Sequence, residues 1–181
     1  MEKVLQKQKL TNKKVASKQV SGANAEKLSH YDAAGRAVMV DVSPKVESAR
    51  TAEASAFVAM RPEVLRALPQ NQKGNPFEVA RVAGILAAKR TSDLIPMCHP
   101  IPLSHIDVEL TQCDDGVAIR ASARTQAVTG VEMEAMTAAS VTALTIYDMC
   151  KALDKGITIR EIVLERKTGG KSGEYRRSTP R

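Results

Sequence analysis

The chain has no tryptophan, two Phe and three Tyr among its 181 residues. Its core must therefore be aliphatic and rich in alanine. Modules that bind RNA by stacking bases on a sheet need rings on their strands, and the strands here offer Phe57 and little else. Cysteine is also scarce. Cys98, Cys113 and Cys150 form no CxxC pair and leave an odd count, which argues against a disulfide scaffold and for a reducing compartment. No apolar run approaches the ~18 residues of a membrane span. No apolar stretch of signal-peptide type opens the chain, and residues 1–27 contain no Arg, which speaks against a mitochondrial presequence. The expectation is a cytoplasmic protein with no membrane partner.

What is present is a chain 43% hydrophobic with a net charge of +7. Its length fits one domain, or one domain with a tail. The charge is unevenly placed. Residues 1–27 hold seven Lys against two Glu, and residues 165–181 hold six Lys plus Arg against two Glu. The body, 28–164, holds fourteen basic and sixteen acidic residues, so the basicity belongs to the ends. A basic tail can bind nucleic acid or membrane, but a solubilising tail is the plainer reading, and no nucleic-acid partner is expected. Residues 1–27, rich in Lys, Gln, Ser and Asn, read as disordered. Residues 28–175 read as one domain and 176–181 as a flexible end.

Ala37–Val42 is a short apolar run and reads as a strand. Arg50–Met60 alternates, with Ala52, Ala54, Ala56, Val58 and Met60 on one face, as in a half-buried strand. Pro62–Leu68 suits a short helix with Pro at its first position. A polar loop, 69–75, carries Lys73 and Gly74. Asn75-Pro76 then caps and opens a helix to about Ser92. Leu94–Pro102 has three prolines in nine residues and reads as an ordered, irregular loop. Ser104–Thr111 alternates again, Asp114-Asp115-Gly116 marks a hairpin turn, and residues 116–125 return as a strand. A long helix, 130–154, follows, with Thr129 and Glu132 spaced for a capping box and Gly156 as its stop. Residues 157–165 form a last strand. Apart from the first strand, the order β-α-β-β-α-β is the split pattern of ferredoxin-like α+β folds. It implies two helices on one face of an antiparallel sheet.

The long helix carries the strongest signal. Between Glu134 and Asp148 lie thirteen residues without a formal charge, many of them Ala, Thr, Ser and Val. Such small residues admit close neighbours, so the helix should be covered on more than one side, a partner chain included. Charges at the edges of a dry segment are costly unless paired or used. Asp148 and Lys151, three apart, share a helical face. Their plain reading is a surface pair worth a few tenths of a kcal/mol; partial burial would instead make Lys151 a proton donor or acceptor near neutral pH. Glu132 reads as a dipole-favoured cap. Glu134 falls within about 40° of the azimuth of Asp148 but roughly 20 Å away along the axis. The two cannot share one small site within a chain, so they belong to two sites or to one completed by a second subunit.

Two other segments carry polar atoms on shaped backbone. Met97-Cys98-His99-Pro100 matches no metal-ligand spacing, and adjacent Cys and His point apart in an extended chain. It reads as a substrate-contacting loop or as a structural turn. Lys167-Thr168-Gly169-Gly170-Lys171-Ser172-Gly173 resembles a P-loop, but Glu165 stands where the upstream Gly is required and too little chain follows for a helix. It reads as a Gly/Lys tail folding over an anion or as a disordered tail.

From about Leu28 to Tyr175 the chain resembles the MoaC family, the cyclic pyranopterin monophosphate synthases of molybdenum-cofactor biosynthesis. The resemblance is carried by MVDVSPK (39–45), QKG (72–74), ARVAGILAAKRTSDLIPMCHP (80–100), TGVEMEAMTAASVTALTIYDMCKALDKG (129–156) and KTGGKSG (167–173). It implies a ferredoxin-like subunit in a homohexamer, a trimer of dimers, with active sites at a subunit interface. It implies a lyase that takes the cyclic dihydro-GTP made by a radical-SAM GTP cyclase and releases cyclic pyranopterin monophosphate and pyrophosphate, with no metal or organic cofactor. Position by position, it implies acid–base roles for Asp148, Lys151 and Lys73. It implies substrate contacts for Met97, Cys98, His99, Met133 and Glu134, and places Lys167 and Lys171 where the triphosphate would bind. One departure stands out: Val128 occupies a place where the family commonly has a basic residue, and Arg124 is one candidate to supply that contact. Alternatives are an inactive, scaffolding family member, a non-enzymatic ferredoxin-like binding module, and a hydrolase acting on GTP itself, against which the failed P-loop argues.

Overall fold

Strict alternation of small residues makes Ser48–Ala59, strand β1, the spine of the sheet. The computed structural model describes residues 30–71 and 74–178. After β1 come helix α1 (Pro62–Ala67), a 3-10 turn (Leu68–Gln70), α2 (Pro76–Ala88) and the short α3 (Thr91–Leu94). Then follow β2 (His105–Cys113), β3 (Gly116–Ala127), α4 (Glu132–Cys150), β4 (Thr158–Thr168) and the two-residue β5 (Tyr175–Arg176). The sheet order is β2-β3-β1-β4-β5, and each neighbouring pair is antiparallel. The class is α+β.

Ala52, Ala54, Ala56 and Val58 of β1 all point into the core, joined by Val108 of β2 and by Val117, Ile119, Ala121 and Ala123 of β3. Their small size brings α4 down close to the sheet, and α4 buries Ala135, Ala138, Ala139, Ala143 and Ile146 there. Helix α2 then packs on α4 and β2. Coverage by the sheet on one side and α2 on another explains why α4 carries no charge between its ends. Among the described residues, no helix is long and apolar enough to cross a membrane.

Several boundaries differ from the sequence reading. Ala37–Val42 is not a strand of the sheet: one bridge joins Tyr31 to Ala37, and Val38 N donates to His30 O at 2.9 Å. Both sides of β1 are already taken by β3 and β4, and an Asp32-centred turn, closed by Arg36, folds the segment back on itself. Helix α4 begins two residues later than expected, from Val131 with no side-chain cap, so Thr129 and Glu132 close no capping box. It ends at Cys150, six residues before Gly156, and Asp154 organises the exit by accepting from Gly156 N and from Arg61 Nε, both at 2.8 Å. The helix from Pro76 breaks at Lys89–Arg90 before α3. Its expected cap is present: Asn75 Oδ1 accepts from Phe77 N at 3.0 Å and from Glu78 N at 3.4 Å. Residues 1–27, read as a tail, lie outside the described residues.

Candidate functional site

The start of α4 forms one wall of a cleft of about 370 Å³. Met133 and Glu134 reach it from the first helical turn. Met97, Cys98 and His99 reach it from the proline-shaped loop after α3. Five residues read as substrate contacts therefore converge, although 33 or more residues of sequence separate the two groups' matching ends. His30, Val40, Val42 and Lys45 complete the cleft from the segment before β1.

His99 Nε2 bonds to the carbonyl oxygen of Val40 at 2.9 Å. A carbonyl can only accept, so Nε2 donates, and in the tautomer with its single proton there Nδ1 is an acceptor. Glu134 is 4% exposed, and burial pushes its carboxyl up to about 7. Its own backbone N–H pulls the other way, and the charge of Glu132 adds to the rise. Glu134 can thus hold or release a proton near neutrality. Burial, with the charge of Glu134, also raises the Cys98 thiol. That disfavours the thiolate a nucleophile needs, and suits Cys98 as a neutral contact.

A second cleft, about 840 Å³, adjoins the first and shares Lys45, Thr129, Gly130 and Glu132 with it. Arg50, Val128, Gly170, Lys171 and Ser172 also line it. The 167–173 segment is folded here. Gly169 and Gly170 have φ of 88° and 75°, and a Cβ on Gly170 would stand 2.1 Å from Arg50 Nη1. Glycine is required for this close approach. Lys167 Nζ contacts Ser172 Oγ, β5 pairs back on β4, and Arg177 N donates to Glu165 O at 2.8 Å. Arg50 donates from Nε to Ala127 O at 3.0 Å and from Nη2 to Val128 O at 3.1 Å. The cation beside Val128 is therefore Arg50. Arg124 lines neither cleft.

Asp148 and Lys151 lie at the other end of α4. Lys151 Nζ sits 2.6 Å from Asp148 Oδ1, with the two side chains 49% and 59% exposed. Among the described residues the pair is about half exposed, which accords with the plain reading as a surface pair. The hydrogen bond and charge of Asp148 raise the Lys151 ammonium rather than lowering it toward neutrality. Asn71 Nδ2 donates to Met149 O at 2.9 Å, which ties the start of the 71–75 loop to this end of α4. Lys73 itself lies outside the described residues. Among the described residues, the predicted side chains on α4 thus fall at its two ends, roughly 20 Å apart by its rise per residue.

Sequence reasoning did not single out His30, Lys45 or Arg50. Lys45 ends the MVDVSPK segment, which by itself names no role for it; Arg50 opens an alternating strand, and its partners lie 77 and 78 residues away. Among the described residues, no three His, Cys, Asp or Glu side chains gather as a metal site.

The MoaC family model matches residues 39–170, which span every long strand and helix. A cyclic pyranopterin monophosphate synthase of Parvibaculum lavamentivorans is 51% identical over 156 residues, covering 84% of this chain and 98% of the relative. Proteins named cyclic pyranopterin monophosphate synthase 1, from Mycobacterium bovis and Mycobacterium tuberculosis, are 54% identical over 154 residues, covering 83% of this chain and 91% of theirs. With the match running through both clefts and both ends of α4, the chain belongs to the MoaC family.

Proposed function

We propose that this protein is a cyclic pyranopterin monophosphate synthase, a lyase of molybdenum-cofactor biosynthesis. Its substrate is the 3',8-cyclic dihydro derivative of GTP, supplied by a radical-SAM GTP cyclase. Its products are cyclic pyranopterin monophosphate and pyrophosphate. The observation that carries this reading, beside family membership, is the convergence of Met97, Cys98, His99, Met133 and Glu134 in a cleft that opens onto Lys45, Arg50 and Lys171. A polar, partly apolar cleft suits the heterocycle, and an adjoining cationic one suits a triphosphate.

Asp148, Lys151 and Lys73 supply the acid–base groups, because rebuilding a purine-derived ring system into a pterin needs repeated proton transfers. They act on substrate held in a neighbouring subunit's clefts. Support comes from the roughly 20 Å between the two ends of α4 and from the exposure of the Asp148–Lys151 pair. The assembly is a homohexamer built from dimers. Lys167 and Lys171 serve the triphosphate, no metal or organic cofactor is needed, and the protein works in the cytoplasm.

The test is to incubate the purified protein with enzymatically prepared cyclic dihydro-GTP, and with GTP as control, and to assay pyrophosphate and pterin together. Both products, from the cyclic substrate alone, are expected. Pyrophosphate from GTP, or no product from a folded oligomer, would overturn the assignment.

A further inference from the structure

The last carbonyls of a helix need partners from outside its regular ladder. At the end of α4, Tyr147 O accepts from Lys151 N at 2.8 Å. Leu153 N, which a continuing helix would direct to Met149 O, turns instead to Cys150 O at 2.9 Å, joined there by Asp154 N at 3.4 Å. That tightening takes away the donor Met149 O would have had from its own segment. Asn71 Nδ2 replaces it at 2.9 Å, from 78 residues away.

Asn71 is itself held on both sides of its main chain. Its N donates to Leu68 O at 3.2 Å, and its O accepts from Gly74 N at 3.1 Å. Leu68 is buried in the core. At the far end of the same loop Asn75 caps α2, and α2 packs on α4. The Asn71 amide therefore works from a fixed base. The carbonyl it grips is one residue past Asp148 and two short of Lys151. The side chains of that pair are about half exposed, so their placement depends on the backbone beneath them more than on packing around them.

We propose that Asn71 is a positioning residue for the reaction: by bonding the Met149 carbonyl it sets where Asp148 and Lys151 stand relative to the loop before α2. The inference rests on the proposed function, which gives the proton transfers to Asp148, Lys151 and Lys73; Lys73 lies two positions beyond Asn71 in the sequence. Proton transfer needs heavy atoms about 2.6–3.2 Å apart, and a ~1 Å misplacement caused by a change away from the chemistry can cost about 10²-fold. One amide joining the two segments therefore has leverage on turnover. Its share of stability is small, because burial of Ile146 and Cys150 anchors α4 independently. The contacts read for substrate at the start of α4 lie roughly 20 Å away, beyond its reach.

The experiment is turnover of cyclic dihydro-GTP by full-length Asn71→Asp, Asn71→Ala and Asn71→Gln, with melting and amide hydrogen exchange on the same samples. Asn71→Asp keeps the shape but sets a carboxylate oxygen against the carbonyl in place of an N–H. In Asn71→Asp and Asn71→Ala, kcat should fall at least about tenfold, with KM within about twofold of wild type. Asn71→Gln, which keeps the donor, should recover part of the kcat. Exchange at the amides of residues 151, 153 and 154 should quicken in Asn71→Asp, while residues 138–146 stay protected as in wild type. A brace that serves stability alone predicts the reverse split, a lower Tm with kcat within about twofold of wild type, and that result would overturn the proposal. Unchanged exchange at 151–154 in Asn71→Asp would overturn it too. Wild-type turnover with unaffected variants sinks this inference and leaves the synthase assignment standing; absence of wild-type turnover sinks both.

Discussion

The His99 ring bridges to Val40 through Nε2 at 2.9 Å, across 59 residues of sequence. The bond fixes the tautomer and clasps the segment before β1 to the loop after α3. A Gln side chain places its amide near Nε2, whereas Phe fills the space without a donor. His99→Gln should therefore keep the clasp while losing the Nδ1 acceptor, and His99→Phe should lose both. Substrate affinity should fall about tenfold for a lost neutral bond and its stranded partner, more in His99→Phe than in His99→Gln. Titration calorimetry, with ¹⁵N shifts of the wild-type ring to read the tautomer, checks both claims.

Burial of Glu134 has a pH signature. Its folded pKa is raised from 4.5 to about 7, so between those values the folded state holds a proton that the unfolded state has lost. Stability therefore falls as pH rises through that window and levels above it. Glu134→Gln should abolish this component. The Tm difference between variant and wild type should grow in favour of the variant from pH ~4.5 to pH ~7. Calorimetric scans across that range would show it, and a constant difference would contradict it.

The Asp148–Lys151 pair is half-exposed, so its loss should leave stability close to wild type. Asp148→Ala and Lys151→Ala should nonetheless nearly abolish turnover, with Tm and assembly close to wild type. If turnover stayed near normal in either, the acid–base assignment would be wrong.

Completion of the site by a second subunit predicts complementation. Co-assembly of Asp148→Ala with Glu134→Ala should restore part of the turnover that each variant lacks alone, because mixed interfaces contain one intact copy of each end. Independent intrachain sites would give no recovery.

Gly84 holds α2 and α4 together at their closest. A Cβ there would stand 2.1 Å from Thr142 Oγ1 and 3.0 Å from the carbonyl oxygen of Ala138. Gly84→Ala should force the helices apart and cost about 1–3 kcal/mol, seen as a Tm several degrees lower. A Tm equal to wild type would mean the helix pair yields freely.

The α+β class and nearly every element were legible in the sequence, because period-two alternation along β1, β2 and β3 and the charge-free run of α4 are local consequences of which face meets the core. The residue types for the site were legible too, through motifs such as PMCHP and TGVEME. Other features were decided only by the tertiary structure. Ala37–Val42 has strand composition, yet it joins no strand of the sheet, because β1 already has both neighbours. Val128 left a missing cation in the linear reading, and Arg50 supplies one from the far side of the sheet register. Asp148 and Lys151 sit among apolar neighbours in sequence, but burial depends on what lies across the helix, and among the described residues the pair stays about half exposed. Sequence by itself determined the local periods, the caps such as Asn75 and the chemical inventory. Which distant segments share a cleft, which proton sits on His99 and why Glu134 titrates near 7 follow from long-range packing and desolvation, properties that exist only once the chain is folded.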